Sequence, residues 1–174
     1  PRLPFYYYHM PGMTGVRVSA SAFIATAIGQ IPTLAGIKFT DEDLDDYAQA
    51  RELGKNRYSL LFGRDEILLS GLERGAIGAV GSTYNYAAPI YHRIMRAFAA
   101  GDLEAARRDQ QRVREFIDIM NQSGGLPAGK AIMRFIGFDC GPVRLPLTPL
   151  EPGHESVFHN RLTEIGFFDY ASRI

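Results

Sequence analysis

The chain reads as an α/β protein, the C-terminal half of a (β/α)8 barrel in which four strand–helix units precede a helical extension. Three observations point there. Short apolar runs alternate with helix-period segments four times, which implies parallel strands joined by crossover helices. A whole barrel takes about 250 residues, so four units are half of one. No glycine-rich phosphate fingerprint follows the first strand, which disfavours a dinucleotide-binding sheet. An open doubly wound sheet would carry the same alternation, but half a barrel with a helical tail fits better.

Each element has a local signal. Phe5–His9 is an aromatic, strand-like run closed by Pro11-Gly12. Residues 19–31 predict a helix, with Phe23, Ile24, Ala27 and Ile28 at helical spacing. Leu34–Phe39 is the second strand. Thr40 then predicts the N-cap of a helix over 41–53, with Asp43 at the capping-box position and Gly54 as its stop. Residues 58–62 form a third strand, 65–74 a short helix ending at Gly75, and 77–80 a fourth strand opening into Gly81-Ser82-Thr83-Tyr84-Asn85. Helices are predicted over 89–99, 102–121 and 127–138. A coil rich in proline (Pro142, Pro146, Pro149, Pro152) leads to a last helix over 155–165. Residues 1–100 would be the half-barrel and 101–174 the extension packed on it.

Composition narrows the function classes. At 46% hydrophobic, 174 residues bury a real core, and one domain is the default count. Nineteen basic and nineteen acidic residues cancel without a long run of one sign, which argues against nucleic-acid binding and a polybasic membrane anchor. No apolar stretch is long enough to span a bilayer and no signal peptide precedes the first element. The single cysteine, Cys140, excludes an internal disulfide and is expected to be a small buried residue. A soluble, cytoplasmic protein is expected. His154 and His159 lie five apart with no third ligand, so no metal site is expected. The chain enters its first strand from Pro1-Arg2-Leu3-Pro4, without an initiator methionine, so an upstream portion is expected.

In a barrel the chemistry sits at the C-terminal strand ends. Those positions carry Tyr8-His9, Lys38-Phe39-Thr40, Gly63-Arg64-Asp65-Glu66 and Gly81-Ser82-Thr83. Lys38 is one of only three lysines, against sixteen arginines, and a primary amine can condense with a ketone as a guanidinium cannot. Burial among apolar neighbours would favour the neutral, nucleophilic amine. The bland alternative is a stem packed on the strand with its ammonium at the rim. Tyr8 could relay protons to the developing intermediates, although Tyr6, Tyr7 and Tyr8 alternate faces and some must simply pack. His9 faces away from Tyr8 and reads as structural. Asp65 and Glu66 could accept hydrogen bonds from a polyol, or cap the next helix, or both. Ser82 and Thr83 could hold hydroxyls or a carboxylate, or serve as a cap.

At these same residues the chain resembles a known family. Tyr6-Tyr7-Tyr8-His9-Met10-Pro11 with Thr14-Gly15-Val16, then Gly36-Ile37-Lys38, Phe62-Gly63-Arg64-Asp65-Glu66 and Gly81-Ser82-Thr83-Tyr84-Asn85, are similar to the N-acetylneuraminate lyase branch of the dihydrodipicolinate synthase superfamily. The resemblance runs from Phe5 through Pro146, including the segment around Lys130. It implies a class I aldolase that cleaves N-acetylneuraminate to pyruvate and N-acetylmannosamine. Lys38 would form the Schiff base and Tyr8 would transfer the proton. Thr40, Gly63, Asp65, Glu66 and Ser82 would line the sugar side. It also implies no metal or organic cofactor, a small-molecule substrate and a homo-oligomer, typically a tetramer. Where the synthase branch usually carries an arginine after Pro11, this chain has Gly12-Met13, which favours the lyase branch. The family's first four strands are absent from this sequence, including the Gly-rich Ser/Thr motif expected to grip the pyruvate carboxylate. Two alternatives stand beside it: another pyruvate-dependent aldolase or synthase of the superfamily, and a catalytically silent half-barrel.

Overall fold

The computed structural model describes residues 2–55 and 57–173. They divide into two compact units, Pro1–Gly81 and Ser82–Ile174.

In the first unit, β1 (Phe5–His9), β2 (Leu34–Phe39) and β3 (Ser59–Phe62) form a parallel sheet in the order β1-β2-β3. The register sets Tyr8 beside Lys38 and Phe39 beside Phe62. Crossovers carry α1 (Pro11–Thr14), α2 (Ala20–Ala27) and α3 (Leu44–Leu53), and α4 (Leu68–Glu73) follows β3 after a 3-10 turn over Asp65–Ile67. The predicted fourth strand over 77–80 is not formed. Only Ala79 bridges to Phe62, through Phe62 N–H to the Gly78 carbonyl and Val80 N–H to the Phe62 carbonyl. Gly75, Gly78 and Gly81 punctuate this stretch and Ile77 is 73% exposed, so it has little apolar surface to hold on the ladder.

The core of this unit is aromatic. Phe39, Tyr47 and Phe62 are fully buried and stack edge or face at 5.2–6.3 Å between centroids. Tyr47 donates its hydroxyl hydrogen to the Leu60 carbonyl at 2.8 Å, and burial pushes its phenol up to about 12 despite the opposing Arg51 charge. Gly36 is needed where β2 meets β3, because a Cβ there would overlap the Ser59 carbonyl. The α3 N-cap is Asp43, whose carboxylate accepts the Asp46 N–H at 2.9 Å; Thr40 is not the cap. The turn Asp41-Glu42 intervenes, with the Glu42 N–H on the Asp41 carboxylate at 2.7 Å, so the helix starts later than 41. Asp46 then accepts the first N–H groups of α2, from Ala20 at 2.7 Å and Ser21 at 3.0 Å, and ties the two helices together.

The second unit is helical: α5 (Tyr84–Ala99), α6 (Leu103–Gln122), α7 (Leu126–Phe135) and α8 (Pro152–Glu164), then a 3-10 turn over Phe167–Asp169. α5 starts before Pro89 but kinks at Ala87, as expected two residues ahead of a ring that lacks an N–H and crowds the preceding turn. Asp102 caps α6 by accepting the Ala105 N–H at 2.9 Å. Val113, Phe116, Ile117 and Met120 give α6 its buried stripe. Phe116, Phe167 and Tyr170 pack together, and burial pushes the Tyr170 phenol up to about 12. Cys140 is exposed, contrary to expectation, because it lies in the coil after α7 rather than on a packed face. No helix among the described residues is long and apolar enough to cross a membrane, and no group of three or more metal-ligating side chains forms there.

Candidate active site

The parallel register does what alternation along one strand cannot: it brings Tyr8 and Lys38 onto one face. The Lys38 ammonium lies 4.0 Å from the centroid of the Tyr8 ring. Lys38 is half-buried rather than enclosed, and Tyr8 is 45% exposed, so this face is open within the first unit. His9 points the other way, buried and stacked on Phe39 at 5.0 Å, with its Nε2 3.5 Å from Asp41.

Backbone hydrogen bonds continue the ladder past the strand ends. Thr40 N–H donates to the His9 carbonyl at 2.8 Å and Gly63 N–H to the Phe39 carbonyl at 2.7 Å. The three strand ends are therefore held rigidly side by side. Gly63 lies so close to Thr40 that a Cβ there would overlap Oγ1. Because Asp43 does the capping, Thr40 Oγ1 is released from that duty; it is buried and has no hydrogen-bond partner among the described residues. Asp65 is buried in the first turn after β3, with Gly81 packed against its carboxylate so tightly that any side chain there would overlap it. Glu66 is partly exposed, with Oε2 3.9 Å from Arg64 Nε, and Arg64 also pairs with Glu42. Reading the sequence missed Arg64, although its place between Gly63 and Asp65-Glu66 was a visible cue.

Tyr8 with Lys38, Thr40 with Gly63, and Asp65 with Gly81 are thus direct neighbours, while Glu66 faces Arg64 in the turn after β3. Ser82 belongs to the second unit. There it is exposed on the wall of a cavity of about 540 Å3, with Asn85, Leu126, Lys130 and Phe138. Lys130, at the centre of the resembling segment, donates to three consecutive carbonyls, of Cys140 at 3.0 Å, Gly141 at 3.3 Å and Pro142 at 2.9 Å. It anchors the coil that walls this cavity. An amine, a phenol, a hydroxyl and two carboxylates at adjacent strand ends can perform nucleophilic addition with proton transfer.

Comparison with known proteins identifies the family. Residues 1–165 match the Dihydrodipicolinate synthetase family. The N-acetylneuraminate lyase of Mus musculus is 47% identical over 150 residues, covering 84% of this chain and 47% of the relative. That of Rattus norvegicus is 40% identical over 173 residues, covering 98% and 54%. Among solved structures, Proteus mirabilis N-acetylneuraminate lyase superposes with a TM-score of 0.91 at 35% identity, covering 96% of this chain and 56% of that one. A Sulfolobus 2-keto-3-deoxygluconate aldolase, at 22% identity and a TM-score of 0.83, shares the fold. The chain spans about half the length of the curated relatives it matches. With the family model matching nearly the whole chain and the α/β framework shared with these solved structures, the chain belongs to the dihydrodipicolinate synthetase family.

Proposed function

We propose that this chain carries the Schiff-base chemistry of an aldolase that cleaves N-acetylneuraminate to pyruvate and N-acetylmannosamine, as the C-terminal half of a (β/α)8 barrel. The observation that supports it most is the Lys38 ammonium held 4.0 Å over the Tyr8 ring at two neighbouring strand ends. The neutral Lys38 amine adds to the keto carbon of the open-chain sugar acid, and loss of water leaves a protonated imine. That cation draws electrons as the bond between the α and β carbons breaks, while the β-hydroxyl gives up its proton and becomes the aldehyde. The Tyr8 hydroxyl receives and returns protons in these steps. The resulting enamine takes a proton at carbon, and water releases pyruvate from Lys38. Thr40, Asp65 and Glu66 bind the sugar hydroxyls, Gly63 keeps their side of the rim open, and Ser82 joins them on the strength of the resemblance. This reading includes residues 1–100 as the half-barrel and 101–174 as the extension. It also takes the protein to be a cytoplasmic homo-oligomer that uses no organic cofactor or metal.

Borohydride trapping of the full chain with pyruvate tests it. An intact-mass increase in the wild type that vanishes in Lys38→Ala and Lys38→Arg is the expected result. An adduct that persists in both variants overturns the assignment of Lys38. Because the chain spans half its relatives' length, a catalytically silent half-barrel is the second reading, and it predicts no adduct at all. Where cleavage is measured, Glu66→Ala is expected to raise KM for N-acetylneuraminate. Unchanged kinetics would favour a different aldehyde partner.

A further inference from the structure

We propose that the groove between α5 and α6 is a binding site for a small phosphate-bearing molecule, independent of the chemistry at Lys38. The groove encloses about 300 Å3 and is lined by Arg93, Arg96, Arg108 and Arg112, with Asp109 as the acidic residue on its wall and Ala97 and Ala105 leaving space between the helices. Asp109 is buried and already engaged. Arg93 grips it through two hydrogen bonds, from Nε at 2.8 Å and Nη2 at 2.5 Å, and Arg112 lies 3.4 Å away. That carboxylate therefore orients two guanidiniums rather than neutralising four. Arg108 reaches Glu104 at 2.7 Å, but both side chains are well exposed, and such an i,i+4 surface pair is weak and yields readily. Arg96 is exposed and has no carboxylate partner among the described residues.

The concentration of charge is local. The chain as a whole is neutral, yet six of its sixteen arginines fall between positions 93 and 114. Four like charges around one cavity repel each other, and a bound dianion removes that repulsion. Planar guanidinium forks match paired phosphate oxygens, which distinguishes this groove from a lysine patch. Its volume suits a phosphoryl group on a small organic body.

Calorimetric titration of the full chain with pyrophosphate and with orthophosphate, at constant ionic strength, tests the proposal. Saturable binding is expected, weakened at least ~tenfold in the double variant Arg96→Ala/Arg108→Ala. Arg57→Ala, an exposed arginine of the other unit, should leave it unchanged. Far-UV circular dichroism checks that the exposed-site variants keep their helices. Tighter binding of pyrophosphate points to a phosphorylated metabolite, and equal binding to free phosphate. Absence of saturable heat, equal weakening by Arg57→Ala, or full affinity in Arg96→Lys/Arg108→Lys overturns the proposal, the last because charge alone would then suffice.

Discussion

Replacing Gly63 by alanine probes how closely the second and third strand ends must approach. A Cβ at position 63 would overlap Thr40 Oγ1, lie 2.9 Å from the Phe39 carbonyl oxygen and 3.2 Å from Thr40 Cβ. The carbonyl cannot retreat freely, because it accepts the Gly63 N–H at 2.7 Å. Thr40 must therefore rotate or the strand ends must part. Overpacking of this kind costs about 2 kcal/mol, a fall in Tm of roughly 4–8 °C for a chain of this length. Thermal and urea unfolding followed by far-UV circular dichroism measures it. Thr40→Ala alone should cost under about 1 kcal/mol, since its buried hydroxyl has no partner to lose. In the double variant the Oγ1 overlap is gone but the carbonyl contact stays, so about half the loss should return. A neutral Gly63→Ala, or a double variant no better than the sum of the singles, would refute the argument that Gly63 is there to admit Thr40.

Three further outcomes follow from buried groups. Tyr47→Phe leaves the Leu60 carbonyl without its donor and should lower stability by about 1–3 kcal/mol in urea unfolding, with the secondary structure unchanged. Tyr47 and Tyr170 are each raised from 10.0 to about 12, so the unfolded chain ionises first. Their contribution is complete below pH 10 and is lost as pH rises through 12, by about 2–3 kcal/mol per tyrosine; a urea midpoint that stays flat over that range would contradict it. Asp46→Asn removes a carboxylate that holds two N–H groups of α2, and should cost about 1–3 kcal/mol and loosen α2 first, read as faster amide exchange at Ala20 and Ser21.

Much of this architecture was legible from local pattern. β1, β2 and β3 are apolar runs bounded by Gly, Pro and polar turns, and they fall within a residue of where the pattern sets them. Residues 77–80 have the same apolar look, but a strand needs a neighbour over several residues, and only Ala79 finds one. Thr40 and Asp43 are both good caps three residues apart. The choice between them rests on where the chain turns after β2, which the Asp41-Glu42 bonding decides. Residue type pointed to a buried Cys140, yet burial depends on what packs over a segment, and Cys140 is exposed in the coil after α7.

The candidate site divides in the same way. Lysine rarity, its place at a strand end and the company of Tyr8, Thr40, Asp65 and Glu66 are properties of residue order, and they were enough to nominate the chemistry and the family. That Lys38 lies over the Tyr8 ring, that Gly63 makes room for Thr40, and that Gly81 packs on Asp65 were decided by tertiary structure alone. These contacts join residues sixteen to thirty positions apart, as the numbering shows. Their distances depend on strand register and crossover packing, whereas periodicity along one segment constrains only which face a side chain takes.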